Sequence, residues 1–246
     1  MLYISVVSHG HAELIIKLGV LKHLSLEYSI IVTDNIGEPR LEDFCKKSEI
    51  HYIKNPVKMG FGFNNNQNFK FALNELNAEK NDYFLVLNPD VDISVDSIKK
   101  ALSKTKEKKS RLSTINLVKS QGEFDFNIRR FPWLGDFILS YIGLNRTLID
   151  KKKINKDLYV DWAAGSFLMF KVDVYQKVNG FDVRYFMYCE DLDICKRIFA
   201  NFNEKVYYIN DVQGRHFAAH SNRNLLSKHF FWHLKSIFRY CFISHY

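Results

Sequence analysis

Acidic residues collect at three points of this chain, and their spacing suggests what they could do. Asp90 follows Asn88-Pro89, directly after the apolar run Tyr83–Leu87. A lone carboxylate there suits a divalent cation held between protein and phosphate oxygens, the usual way Mg²⁺ is bound. Asp92 is two residues on and shares Asp90's side if the segment is extended; it equally suits the start of the helix that follows. Asp34-Asn35 follows a second apolar run, and a carboxylate can accept from the N3–H of a base or from ribose hydroxyls. The same pair could simply hold a turn. Ser8 and His9 follow the first apolar run. Further on, Glu190-Asp191 offers two adjacent carboxylates facing different ways. One of them, Asp191 by preference, can take a proton from an attacking hydroxyl, although acids also favour helix starts.

Positioning these groups requires strands that end near one another. Leu2–Val7, Tyr28–Val32, His51–Ile53 and Tyr83–Leu87 have strand character, with helical periodicity at Glu13–Leu24, Leu41–Lys47, Asn64–Leu76 and Val95–Lys104. Such alternation predicts an α/β fold with a mainly parallel sheet covered on both sides. Ligands of such sheets bind beyond the carboxyl ends of the strands, where Ser8, His9, Asp34, Asn35, Asn88 and Asp90 fall. Gly60-Phe61-Gly62-Phe63-Asn64 opens a helix; its glycines permit close backbone approach and its asparagines supply amides. It matches neither the dinucleotide G-x-G-x-x-G pattern nor a P-loop. Arg111–Val118, Tyr159–Asp161, Ser166–Phe170 and Val206–Ile209 read as further strands, Val172–Val178 and Asp191–Asn201 as helices, and Leu225–Ile243 as a basic, aromatic one. Between Gln121 and Lys156 the pattern fades.

The 246 residues carry 35 Lys and Arg against 27 Asp and Glu, a net charge of +8, which favours anionic partners without choosing among them. Basic residues scatter instead of forming one stripe, against a nucleic-acid binder. Ser8–His11 lacks the Gly-rich basic loop of a nucleotidyltransferase, and paired carboxylates alone would also suit a glycoside hydrolase. Cys45, Cys189, Cys195 and Cys241 show no zinc-ligand spacing and suit a reducing, cytosolic setting. The N-terminus does not read as a signal peptide, and no apolar run reaches bilayer-spanning length.

Taken together, Val6-Val7-Ser8-His9-Gly10-His11, Asp34-Asn35, Gly60-Phe61-Gly62, Leu87-Asn88-Pro89-Asp90, Arg130-Phe131-Pro132, Asp161-Trp162-Ala163-Ala164-Gly165-Ser166, Gly180-Phe181-Asp182, Tyr188-Cys189-Glu190-Asp191 and the ending Trp232–Tyr240 resemble the family-2 glycosyltransferases of GT-A (Rossmann-like) fold. More narrowly, they are similar to bacterial rhamnosyltransferases of O-antigen assembly. The resemblance implies an inverting transfer from a nucleotide sugar, dTDP-β-L-rhamnose, to a lipid-diphosphate-linked saccharide at the inner face of the cell membrane. By resemblance Asp34 reads the base, Asp90 binds Mg²⁺ or Mn²⁺, and Asp191 is the catalytic base beside Glu190. Trp162 and Gly165 shape the acceptor side, while His216 or His220 contacts metal or diphosphate. Asn88 stands where many relatives carry a first acid, which leaves Asp90 the chief metal ligand. Arg129 and Arg130 suit an acceptor diphosphate. Residues 1–224 are expected to form the catalytic domain, and 225–246 an amphipathic helical extension suited either to an anionic membrane surface or to docking on the domain.

Overall fold

A computed structural model describes residues 1–119, 121–217 and 228–243, the last segment with side chains from residue 230. His220 and the stretch from Leu225 to Ser227 lie outside the described residues. The first half is a β/α alternation: β1 (Leu2–Ser8), α1 (Ala12–Leu18), α2 (Val20–Leu24), β2 (Ser29–Asp34), α3 (Pro39–Lys47), β3 (His51–Lys54), α4 (Phe61–Asn74), β4 (Tyr83–Leu87), β5 (Val91–Asp92) and α5 (Val95–Glu107). The second half holds β6 (Leu112–Lys119), β7 (Ile128–Arg129), α6 (Leu134–Tyr141), β8 (Leu158–Val160), β9 (Trp162–Ala163), β10 (Phe167–Lys171), α7 (Val172–Lys177), α8 (Glu190–Phe202), β11 (Val206–His216) and α9 (Lys228–Phe242).

The main sheet runs β3-β2-β1-β4-β10-β6-β11-β5, with β8 also on β11. β3, β2, β1 and β4 are parallel, as are β6 and β11; β10 enters antiparallel between β4 and β6. The sheet is mixed, with its parallel half where the sequence alternates. Side chains of β4 explain its central place: Tyr83, Leu85 and Leu87 join the core on one face, Phe84 and Val86 that on the other. Such period-two burial on both faces requires an unbroken apolar run. Burying one such side chain contributes about 1.5–3 kcal/mol.

Two expectations change in detail. The helix predicted over Glu13–Leu24 is broken at Gly19, whose φ of 65° ends α1 and begins α2; glycine takes that conformation without steric cost. Asp92 does not cap α5. It lies in β5, in register with Arg215, and Ser94 is the N-cap, accepting from Ser97 N–H at 3.1 Å.

Candidate active site

β1, β2 and β4 deliver their ends to one edge of the sheet, and the loops there are tied together by side chains. Ser8 Oγ donates to Glu38 Oε1 at 2.6 Å, and Glu38 also accepts from the N–H groups of Gly10 and Ala12. Asp34 is fully buried. It accepts from the N–H of Ile36 (3.1 Å), Gly37 (2.8 Å) and Glu38, and from Tyr52 Oη at 2.7 Å. Burial would raise its carboxyl, but these donors hold it below the ordinary range. A carboxylate has about four acceptor positions, so Asp34 here shapes the 34–38 loop and has none left for a base. Asn35 is likewise engaged: its Nδ2 donates to Met59 O (2.9 Å), its Oδ1 accepts from Met59 N–H (2.8 Å), and His9 Nδ1 lies 3.1 Å from Nδ2.

The Gly60 loop also serves the fold. A Cβ on Gly60 would sit 2.5 Å from Phe186 O, and one on Gly62 would sit 2.7 Å from Phe181 Cβ. The close approach these glycines allow is to protein backbone and ring, not to open space. Asn64, Asn65 and Asn68 are fully buried. They bond to Asn55 (2.7 Å), Ser5 (2.7 Å) and Thr33 (2.6 Å), fastening α4 to β1 and β2. Gly60 therefore fixes the segment leading into Glu190-Asp191. Gly60→Ala is expected to lower stability by about 1–3 kcal/mol, the usual cost of overpacking, and to reduce activity with it. Denaturant titration beside an activity assay checks this; an unchanged midpoint would remove the role.

Asp90 is set by the turn after β4. Asn88 N–H donates to Ser166 O (3.0 Å), Val91 N–H to Asn88 O (3.2 Å) and Phe217 N–H to Asp90 O (2.9 Å). These bonds bring the ends of β4, β10 and β11 together. Asp90 Oδ1 is buried and lies 3.3 Å from His216 Nε2, an ion-pair contact. The other imidazole nitrogen, Nδ1, is 2.6 Å from Asp125 Oδ2. Burial would lower the imidazole, but Asp125 and Asp90 push it up to about 9. Asp92 is not part of this chain of contacts.

Beside Asp90 opens a cavity of about 450 Å³, lined among others by Asn88, Arg129, Trp162, Gly165, Asp191 and His216. Two consecutive residues in left-handed conformation, Tyr188 (φ 71°) and Cys189 (φ 62°), turn the chain into α8. Such conformations cost about 1–3 kcal/mol each and persist only where the surroundings enforce them. They present Glu190 and Asp191 to the cavity. Asp191 Oδ2 accepts from Gly165 N–H (3.1 Å) and Oδ1 from Leu192 N–H (2.8 Å). Gly165 has no room for a side chain, since a Cβ would lie 3.0 Å from the Phe61 ring. Glu190 Oε2 is buried with no partner, as is Ser166 Oγ on the cavity wall. Burial raises both acidic carboxyls, Glu190 more because Asp191's charge adds to it. Among the described residues, five buried side-chain polar atoms lack partners, and three are Asp90 Oδ1, Ser166 Oγ and Glu190 Oε2. Native proteins rarely leave such atoms unmet, so their gathering here marks a place built for a polar ligand.

No family model matches the chain. It is 39% identical over 98% of its length to rhamnosyltransferase WbbL of Escherichia coli K12, and covers 92% of that protein. The chain belongs to the rhamnosyltransferase family. Low-salt glycan biosynthesis hexosyltransferase Agl10 of Haloferax volcanii is 28% identical over 68% of the chain, which spans about half (52%) of that relative. An N-acetylglucosaminyl-diphospho-decaprenol L-rhamnosyltransferase of Mycobacterium tuberculosis is 34% identical over 32% of the chain and 25% of its own length. Among solved structures, GalNAc-T7 with UDP, GalNAc and Mn²⁺ superposes with a TM-score of 0.63 at 13% identity, over 97% of this chain and 47% of that one. S. aureus TarS gives 0.61 at 13%, over 88% and 60%. These likenesses show the GT-A fold.

The cavity of this glycosyltransferase departs from expectation on its acceptor side. Arg129 lines it; Arg130 is exposed, giving its carbonyl to Trp162 Nε1 (2.9 Å). Arg130 thus positions Trp162 instead of facing the cavity. Sequence also passes over Asp125, Ser166 and Glu38. Ser166 could have been found, since it directly precedes a strand. Asp125 sits in the stretch without periodicity and carries no such signal.

Among the described residues no group of three or more His, Cys, Asp or Glu side chains is arranged to hold a metal ion. Asp90 and, once it has lost its proton to the incoming ion, His216 make a two-ligand set, and that fits a cation bound jointly with substrate phosphates. Asp125 behind His216 matches the carboxylate that usually orients a metal-ligating imidazole. The neighbouring GalNAc-T7 structure holds Mn²⁺.

Proposed function

We propose that this enzyme moves L-rhamnose from dTDP-β-L-rhamnose onto a lipid-diphosphate-linked saccharide, with inversion, in O-antigen or related surface-polysaccharide assembly. The observation that carries the reading is the meeting at one cavity of His216, which Asp90 contacts from behind at 3.3 Å, with Glu190–Asp191, in a chain 39% identical to a rhamnosyltransferase. Asp90 and His216, with Asn88 alongside, hold the diphosphate end of the donor through a divalent cation, Mg²⁺ or Mn²⁺. When bound, that cation neutralises charge on the departing nucleoside diphosphate. The loops at Ser8, His9, Asp34 and Asn35 form the nucleoside edge, with Asp34 and Asn35 setting loop shape. The acceptor enters past Arg129, Trp162 and Gly165. Its hydroxyl gives a proton to Asp191 while its oxygen bonds to the anomeric carbon from the side opposite the diphosphate. The bond from that carbon to the diphosphate oxygen breaks, and the nucleoside diphosphate leaves with the electron pair. The name of the mycobacterial relative, an L-rhamnosyltransferase acting on a decaprenol diphosphate sugar, supports such an acceptor.

No helix among the described residues is long and apolar enough to cross a membrane. We place the enzyme peripherally at the cytoplasmic face of the bacterial cell membrane, where residues 225–246 meet anionic lipid. Measuring nucleoside diphosphate release from a panel of nucleotide sugars, with lipid-linked acceptor and Mg²⁺ or Mn²⁺, tests the function. Turnover is expected with dTDP-rhamnose above all others, and none with any donor would sink the reading.

Burial of the Asp191 carboxyl has a kinetic consequence. Its pKa is raised, so the proton acceptor form appears only above the ordinary carboxylate range, about 4. The acid limb of the kcat profile is expected above that value, with the rate rising as pH rises. An acid limb at about 4 would assign the proton transfer elsewhere.

A further inference from the structure

The helix pair α6–α9 has two unlike sides. Phe137 stacks on Tyr240 (6.0 Å) and Tyr141 on Phe230 (5.7 Å), and Tyr141 Oη meets His233 Nδ1 at 3.0 Å. As α6 advances, its partners on α9 retreat, so the helices are antiparallel. One side of the pair belongs to the active site. Asp136, Phe137 and Ser140 of α6 and His233 of α9 line the catalytic cavity. Trp232 packs on Phe186 (4.8 Å), and Ser236 Oγ donates to Met187 O (2.9 Å), just before Glu190-Asp191.

One position onward from the contact line, each helix carries an exposed apolar stripe. On α6 this is Leu134, Ile138 (61% exposed) and, just past its end, Ile142; on α9 it is Phe231, Leu234 and Phe238 (57%). A one-residue step turns about 100° around a helix. In two antiparallel helices that step carries both stripes to the same side of the pair. Trp133, 83% exposed, leads into α6 at its border. Monomeric proteins rarely show apolar patches of this extent without a partner.

Charge selects the partner. After Asp211 the chain holds Arg215, Arg223, Lys228, Lys235 and Arg239 and no acidic residue; Lys235 is exposed beside the α9 stripe. The charged residue of α6, Asp136, lies on the cavity side of the pair, so an apolar aromatic face bordered by Lys235 matches an anionic lipid surface.

We infer that α6 and α9 together form one membrane-binding face, which lies on an anionic bilayer with the catalytic cavity on the other side of the pair. This rests on the lipid-linked acceptor proposed above and adds α6 and an orientation to it. One helix diameter, about 10 Å, then separates the bilayer from the cavity, so an acceptor anchored in lipid needs only to pass around the pair to reach Asp191.

Flotation of the full chain with phosphatidylglycerol vesicles and with phosphatidylcholine vesicles tests this, using wild type, I138S/I142S and F238S, each also assayed on a short-chain, water-soluble acceptor. Wild type is expected to float with the anionic vesicles only. Each variant should bind at least about tenfold more weakly, as loss of one or two buried apolar side chains implies, with turnover of the soluble acceptor unchanged. Wild-type flotation that only F238S weakens would overturn the two-helix face while leaving the C-terminal helix on the membrane. No flotation of wild type, with turnover intact, would overturn the membrane reading alone and leave the transferase standing. A sedimentation-velocity dimer that I138S/I142S dissociates, with flotation unmoved, would assign the face to a second copy of the chain and overturn the proposal.

Discussion

Asp191→Asn is expected to lower kcat by roughly 10²–10⁴-fold, the usual contribution of a positioned general base, while donor affinity stays within about twofold. The side chain keeps its size, but an amide cannot take a proton from the acceptor. Asp191 is also the better-oriented of the two acids. Gly165 and Leu192 N–H groups fix both of its oxygens, whereas Glu190 leaves Oε2 without a partner. Asparagine can satisfy only one of those N–H groups with its oxygen and turns its own NH₂ toward the other, so some loss of stability accompanies the change. Thermal unfolding must therefore be read beside single-turnover rates and calorimetric titration of the donor. A folded variant that binds donor and does not transfer has the expected profile. If it retains a tenth or more of wild-type turnover, the base lies elsewhere, and Glu190→Gln becomes the decisive variant.

The sequence showed the acids better than it showed their surroundings. β4 is legible because five successive apolar residues have no other home than a doubly covered strand, and Asp90 follows from its end. Asp191 is legible from the Tyr188-Cys189-Glu190-Asp191 resemblance, but not the left-handed turn at Tyr188 and Cys189 that aims it. Nothing in those residue types announces a positive φ; packing against Trp232, His233 and Ser236 accompanies it. The asparagines of α4 mislead for a related reason. Amides in a loop look available to a ligand, and only the fold shows them spent on Ser5, Thr33 and Asn55. α6 is missed because Leu134, Ile138 and Ile142 are turned outward, so its periodicity describes no core.

Asp90→Ala is expected to weaken metal-dependent donor binding by at least about 100-fold, while stability changes little. Both halves follow from one observation. Asp90 Oδ1 is buried, makes no hydrogen bond and meets His216 Nε2 at 3.3 Å, an imidazole also held by Asp125, so its removal takes less from the fold than loss of a carboxylate that accepts several hydrogen bonds, which would leave its donors stranded. Its value lies in what it offers a ligand. His216 remains held by Asp125 at 2.6 Å in the variant, which preserves the site's other arm. Asp125→Asn should then act at one remove, weakening the metal-linked step about 10–100-fold, as losses behind a metal-ligating imidazole do. Calorimetric titration of dTDP with and without Mn²⁺, beside urea unfolding, separates these roles. A structural Asp90 would lower the unfolding midpoint and leave the Mn²⁺ dependence intact. A ligating Asp90 does the reverse, because a carboxylate whose contact with His216 is backed up by Asp125 can be lost from the folded state at small cost and still abolish what the site holds.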